Sequence, residues 1–145
     1  MKVTILDLMP GEEAELVIKC EHLSDDLTKL INSFKQGSRM LTGYQHGSIH
    51  LLSPRDIYYF ESVDQRTYAY CQKEVYEIKH RLYELEAELP ALDFFRSSKS
   101  TILNVNKIKS LSPAFNSRFE ALLKNGEKVI ISRQYVGVLK EKLGL

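Results

Sequence analysis

Leu122-Leu123-Lys124-Asn125-Gly126-Glu127-Lys128-Val129-Ile130-Ile131 is the stretch that decides the fold class. Asn-Gly is the preferred pair for a two-residue type I′ hairpin, because both central residues of that turn need a positive φ. Apolar runs flank it on both sides, so the segment reads as two antiparallel strands. Closing a two-residue turn on Asn125-Gly126 sets Lys124 opposite Glu127, a favourable charge pair, with Leu122 opposite Val129 and Ala121 opposite Ile130. Both faces then carry apolar side chains, which predicts a hairpin covered on both sides, as in stacked sheets.

Outward from the hairpin, the chain alternates short β-favouring runs with two amphipathic stretches. Residues 48–52, 56–62, 67–72, 74–78, 100–104 and 107–111 read as strands. Ile57-Tyr58-Tyr59-Phe60, aromatic and β-branched, suits a central or half-buried one. Ile78, Leu82, Leu85 and Leu89 recur at helical spacing, which predicts a helix over 79–89 stopped by Pro90, with Glu84, Glu86 and Glu88 toward solvent. A last helix is expected over 134–143, burying Val136, Leu139 and Leu143.

The first 44 residues form a β-β-α extension on this reading. Residues 2–8 and 15–20 are short β-favouring runs separated by Pro10-Gly11. Ser24 caps a helix with Asp25 and Asp26 in its first turn, where negative charge meets the positive end of the dipole. Leu27, Leu30, Ile31 and Phe34 fall on one face, and Gly37 is placed to end the helix. Forty residues with one apolar stripe bury too little to stand alone, so this face is expected to pack on the rest of the chain or on a partner. Gly43 to Gly47 is the expected joint, giving an extension over 1–44 and a main domain over 45–145.

Composition excludes several classes. Apolar content of 43% and charged content of 27% predict a real core. No run approaches the roughly 18–20 apolar residues that cross a bilayer. The first residues lack a secretory apolar region, so a cytoplasmic protein is expected, with Cys20 and Cys71 as reduced thiols. There is no phosphate-cradling glycine loop, no nucleophile triad, and no His or Cys cluster at ligand spacing. No catalytic residue, metal, cofactor or small-molecule substrate is expected. A thiol enzyme using Cys71 would need an accessible thiol of low pKa.

Charge is more informative. The net charge is +1, yet residues 1–44 carry −2, and from Phe94 onward ten basic residues face three acidic ones. That excess fits a polyanion footprint, and equally a solvated surface. If Ser132 caps the last helix, Arg133 sits in its first turn, where a cation conflicts with the dipole and a bound anion would relieve the conflict. An exposed arginine covering apolar surface with its stem fits the same pattern. Arg96-Ser97-Ser98-Lys99-Ser100-Thr101 groups hydroxyls and cations, the usual phosphate partners, in what reads as a loop.

Taken in order, Ile57-Tyr-Tyr-Phe-Glu-Ser62, Glu84-Leu-Glu-Ala-Glu-Leu-Pro90, Phe95-Arg-Ser-Ser-Lys-Ser-Thr-Ile-Leu-Asn104, Leu122-Leu-Lys-Asn-Gly126 and Ile131-Ser-Arg-Gln-Tyr135 resemble the LytTR family over about residues 45–145. The resemblance implies a mainly β fold, an elongated stack of three antiparallel sheets with two helices, here joined by the α+β extension and its one helix. It implies a bacterial transcription regulator that reads double-stranded DNA with loops rather than a recognition helix. Base-reading positions would fall on Gln65, Arg66 or Thr67, on Lys99, and on Arg133. Arg96 and Ser100 would face phosphate or brace the loop, and Asn104 would end a strand. Forty-four residues are too few for a receiver domain. A homodimer on DNA and a small membrane-protein inhibitor are therefore the expected partners, with Leu27, Leu30, Ile31 and Phe34 as the contact face. A protein-interaction module that keeps the fold without reading DNA is the alternative.

Overall fold

The computed structural model describes residues 2–36 and 39–145, with side chains except those of residues 33–36. In chain order the elements are α1 (Asp25–Gln36), β1 (Leu41–Gln45), β2 (Ser48–Leu52), β3 (Tyr59–Val63), β4 (Arg66–Tyr70), β5 (Val75–Ile78), α2 (Leu82–Glu88), β6 (Phe94–Ser98), β7 (Thr101–Asn104), β8 (Ile108–Pro113), β9 (Phe119–Leu123), β10 (Lys128–Ile131) and α3 (Arg133–Leu143). Hydrogen bonding gives two sheets where the resemblance implies three. One has the order β2-β1-β5-β4-β3-β7-β6, the other β10-β9-β8. Every pairing is antiparallel. The fold is mainly antiparallel β with three helices, as expected.

Period-two alternation sorts the apolar residues of the large sheet into two cores. Ile57, Phe60, Ala69, Ile78, Phe94 and Ile102 meet Leu82, Leu85 and Leu89 of the α2 segment on one face. Tyr58, Phe95 and Leu103 meet Ala121, Leu123, Val129, Ile131 and Leu139 on the other. Phe94-Phe95 and Ile102-Leu103 are the adjacent pairs that feed both layers, so β6 and β7 lie between α2 and the smaller sheet with α3. Asn104 ends β7 as expected. Its side-chain amide donates to the Ile57 carbonyl (2.9 Å), and its oxygen accepts from the Asn106 N–H (3.0 Å).

Several expected elements are corrected. Residues 2–8 and 15–20 form no strand, because a strand exists through its neighbour's hydrogen bonds and none of the large-sheet edges pairs with them. Ile5, 90% exposed, lies in the open with Val3 and Leu6. The expected joint falls on the β1–β2 hairpin, since β1 begins at Leu41 and pairs with β2 and β5. The helix expected over 79–89 starts at Leu82, because Ile78 completes β5 opposite Thr67 and Gly43. The Glu84 carboxylate then accepts the Arg81 N–H (3.1 Å), closing the first turn. β6 takes the place of a loop expected around Arg96. Phe34 and Gly37 of the expected α1 face and stop lie outside the described side chains and residues.

The deciding hairpin differs by one residue. Leu122 pairs with Lys128, and Ala121 with Val129. Leu123 donates to the Glu127 carbonyl (2.8 Å), leaving a three-residue loop whose left-handed position is Gly126 (φ 91°). The reason is sorting. A two-residue loop would put Leu123 and Lys128 on one face, and Glu120 and Ile131 on the other. One more loop residue brings Ala121, Leu123, Val129 and Ile131 to a single buried face and turns Ile130 outward. The hairpin is thus covered on one side. The two-residue turns with positive φ at both centres occur instead at His46-Gly47 and Asp64-Gln65.

Candidate nucleic-acid interface

Three connections meet at one end of the large sheet. β3 runs toward the Asp64-Gln65 turn and pairs with β7 up to Glu61↔Thr101, so the β6–β7 turn lies beside it. The Ser62 N–H donates to the Ser100 carbonyl (2.8 Å) and ties the two turns together. β10 crosses over β6, and the Ser132 N–H donates to the Ser97 carbonyl (2.8 Å). That bond sets the start of α3 against the same β6–β7 turn. Ser97 itself is fully buried beneath it.

These bonds bring Gln65, Arg66, Lys99, Ser100 and Arg133 to one end. Thr67 is brought there only by its backbone: it is 4% exposed, on the α2 side of β4 with Ala69, and has no surface to present to a ligand. Arg66 is exposed, 4.0 Å from Glu77. Arg96 is engaged within the protein. Its Nε donates to Glu86 of α2 (3.2 Å) and its Nη1 to the Lys99 carbonyl. Of the two roles open to Arg96, the geometry is that of a brace, holding the turn that carries Lys99. Ser100 closes the same turn, its N–H donating to Ser98 Oγ (3.2 Å).

Half of the ten basic residues beyond Phe94, Arg96 among them, are used internally. Lys107 lies over the Tyr58 ring and Lys140 over Phe119, at 4.9 and 5.6 Å. Lys142 donates to the Ala91 carbonyl, and Lys128 lies 3.7 Å from Glu120. Among the described residues of this basic run, the side chains of Lys99, Lys109, Arg118, Lys124 and Arg133 have no hydrogen-bond, ion-pair or ring partner. Lys99, Arg118 and Arg133 sit at this end. Arg118, which the sequence reading counted only in the basic run, joins Asn116, Ser117, Ser132, Arg133 and Gln134 around an open groove. Arg118 and Ser132 also border the adjoining hollow, with Ser98, Lys128, Tyr59 and Glu61. Its proximity to Arg133 comes from the pairing of Phe119 with Ile131 across β9 and β10, the far end of the Asn125-Gly126 hairpin.

The LytTr DNA-binding domain family matches residues 47–144, two-thirds of the chain, in the segment order of the motifs quoted above. The chain belongs to the LytTR family. The LytTR region is similar to a solved LytTr DNA-binding domain from Bacillus cereus, with a TM-score of 0.71 and 30% identity over 75% of this chain and 100% of that one. The chain is 33% identical over 142 residues to the sensory transduction protein LytT of Enterococcus faecalis, covering 95% of this chain and spanning 59% of that relative's length. It is 29% identical, over 100% of this chain and 99% of the relative, to an HTH-type transcriptional regulator of Staphylococcus aureus. Among the described residues of this LytTR protein no two helices are consecutive, so its own fold contains no helix-turn-helix unit.

α3 begins at Arg133, with Ser132 as an N-cap whose side chain makes no cap bond. The first-turn N–H groups therefore stay free of the usual hydroxyl partner. Cys71 is half-buried, and burial, then the charges of Asp56 and Glu74, push its thiol up to about 11. At neutral pH it is a protonated thiol, which counts against its use as a nucleophile. No helix of the described residues is long and apolar enough to cross a membrane.

Proposed function

We propose that the chain binds double-stranded DNA in a sequence-specific way and regulates transcription, using this end of the sheet as the contact surface. The observation that carries the reading is the placement of three unpartnered cations, Lys99, Arg118 and Arg133, on one rigid edge where Ser62–Ser100 and Ser132–Ser97 hydrogen bonds lock the turns. In this reading Arg133 meets a base edge, guanine O6 and N7 being the best match for a guanidinium. Gln65 and Arg66 meet bases from the neighbouring turn, while Lys99 and Arg118 meet phosphate. Arg96 and Ser100 hold the Lys99 turn. Catalysis has no place in it, and the protein acts in the cytoplasm.

The proposal extends to assembly. Leu27, Leu30 and Ile31 of α1 are half-buried, and we assign the remaining surface of that face to contact with a second copy on DNA. A small membrane protein binding the same face would compete with it. A Leu30→Asp variant that leaves both self-association and partner capture intact would refute this assignment.

Selection of bound duplexes from a random pool tests the main reading, and the expected result is an enriched motif. On that motif Arg133→Ala is expected to cost about 1–3 kcal/mol and to relax preference at one position. Lys99→Ala is expected to weaken all sequences alike and lower the salt slope by about one. No enrichment, with wild-type binding unchanged across random duplexes, would favour the interaction-module alternative.

A further inference from the structure

We infer that Phe115 is an additional DNA contact, an apolar one, placed by the β8–β9 loop beside the basic groove. Phe115 is 87% exposed, although an aromatic side chain gains most from burial. Neighbouring apolar residues offer it nothing, while the other aromatic of this hairpin, Phe119, packs against the second core. The loop is closed by the Ala114 N–H donating to the Arg118 carbonyl (2.8 Å). Asn116 and Ser117, which follow Phe115, both take a left-handed conformation, with φ of 60° each. Two successive non-glycine residues in that region are costly, and such geometry persists where the surroundings or a function require it.

Position supplies the second argument. Asn116, Ser117 and Arg118 line the groove whose opposite wall is Ser132, Arg133 and Gln134. A duplex held by Arg118 and Arg133 therefore passes the loop that carries Phe115. The apolar surfaces a duplex offers are thymine methyl groups and the C–H faces of deoxyribose. Both are bare hydrocarbon, and either would cover the ring. The inference rests on the DNA reading above and adds to it a contact whose strength is independent of salt, because no counterion is released when an aromatic ring is buried.

The test uses the full chain and a duplex from the selected pool. Phe115→Ala is expected to weaken binding about tenfold, with the salt slope unchanged. Phe115→Leu should recover part of the loss. Arg118→Ala should lower the slope by about one. Replacing each thymine of the site by deoxyuridine separates the two surfaces. If one replacement costs the wild type as much as Phe115→Ala, and costs that variant nothing, the ring meets a methyl group. If none does while Phe115→Ala still loses affinity, it meets deoxyribose. Full affinity of Phe115→Ala, with Arg133→Ala still impaired, overturns the inference alone. Wild type that binds no duplex overturns the DNA reading beneath it.

Discussion

Replacing Arg96 with alanine separates a brace from a phosphate contact. The guanidinium makes two charge-assisted bonds, one to Glu86 of α2 at 3.2 Å and one to the Lys99 carbonyl, and its side chain is mostly covered. Glu86 is half exposed, so the ion pair is screened and contributes only about 0.5 kcal/mol. The bond from a charged donor to the turn carbonyl adds roughly 1.5 kcal/mol. Arg96→Ala is therefore expected to lower the unfolding free energy by about 2 kcal/mol, or Tm by about 6 °C for a chain of this size. Urea melts of the wild type, Arg96→Ala, Glu86→Ala and the double variant form a cycle, with an expected coupling of about 0.5 kcal/mol. On DNA, Arg96→Ala should lose affinity by loosening the Lys99 turn while leaving the salt slope within about 0.3 of wild type. Wild-type stability together with a slope lowered by a full unit would refute the brace and return Arg96 to the phosphates.

Titration offers further checks. Burial first, and then the hydrogen bond and charge of Glu127, raise the Tyr59 hydroxyl well above its ordinary 10.0, and its ring stacks on Tyr70 at 4.3 Å. A raised folded-state pKa means that the folded chain holds the proton more tightly. The stabilisation is present below pH 10 and is lost as pH rises beyond it. Tyr59→Phe should accordingly flatten the fall in Tm between about pH 9.5 and 11, and an unchanged fall would contradict the assigned environment. Native alkylation at pH 8, followed by mass spectrometry, should modify exposed Cys20 at least about tenfold faster than Cys71, whose thiol is raised to about 11. Equal rates would show that Cys71 is more open than its packing indicates.

Legibility in the sequence followed the range of the interaction involved. Helical spacing of Leu82, Leu85 and Leu89, and of Val136 and Leu139, located α2 and α3 because a helix is defined by its own backbone. The strands at 48–52 and 74–78 were legible through alternation and turn residues. Residues 2–8 and 15–20 carry the same local signal and form no strand, since what they lack is a neighbour. β6 hid in the opposite way: Arg96-Ser97-Ser98 reads as solvated loop, and only the β7 ladder and the second core bury Ser97. The Asn125-Gly126 hairpin was legible and its register was not, because the extra loop residue is chosen by which side chains reach the core. In the candidate site, Arg133 and Lys99 were marked by resemblance and local charge. Arg118 and Phe115 were not: Arg118 comes beside Arg133 at the far end of the β9–β10 hairpin, beyond the positions that its turn signals, and Phe115 follows from the β8–β9 loop. Thr67 was misplaced by one step of strand alternation, which turns a surface residue into a buried one.

Backbone amide chemical shifts recorded while a selected duplex is titrated into the labelled protein test the central claim most directly. The account predicts that the largest changes gather at residues 64–66, 98–100, 115–118 and 132–134, with smaller changes in α1 as a second copy docks and the β2 edge nearly silent at the same DNA ratio. Changes centred on β1, β2 or α1, with residues 98–100 and 132–134 unmoved, would contradict it.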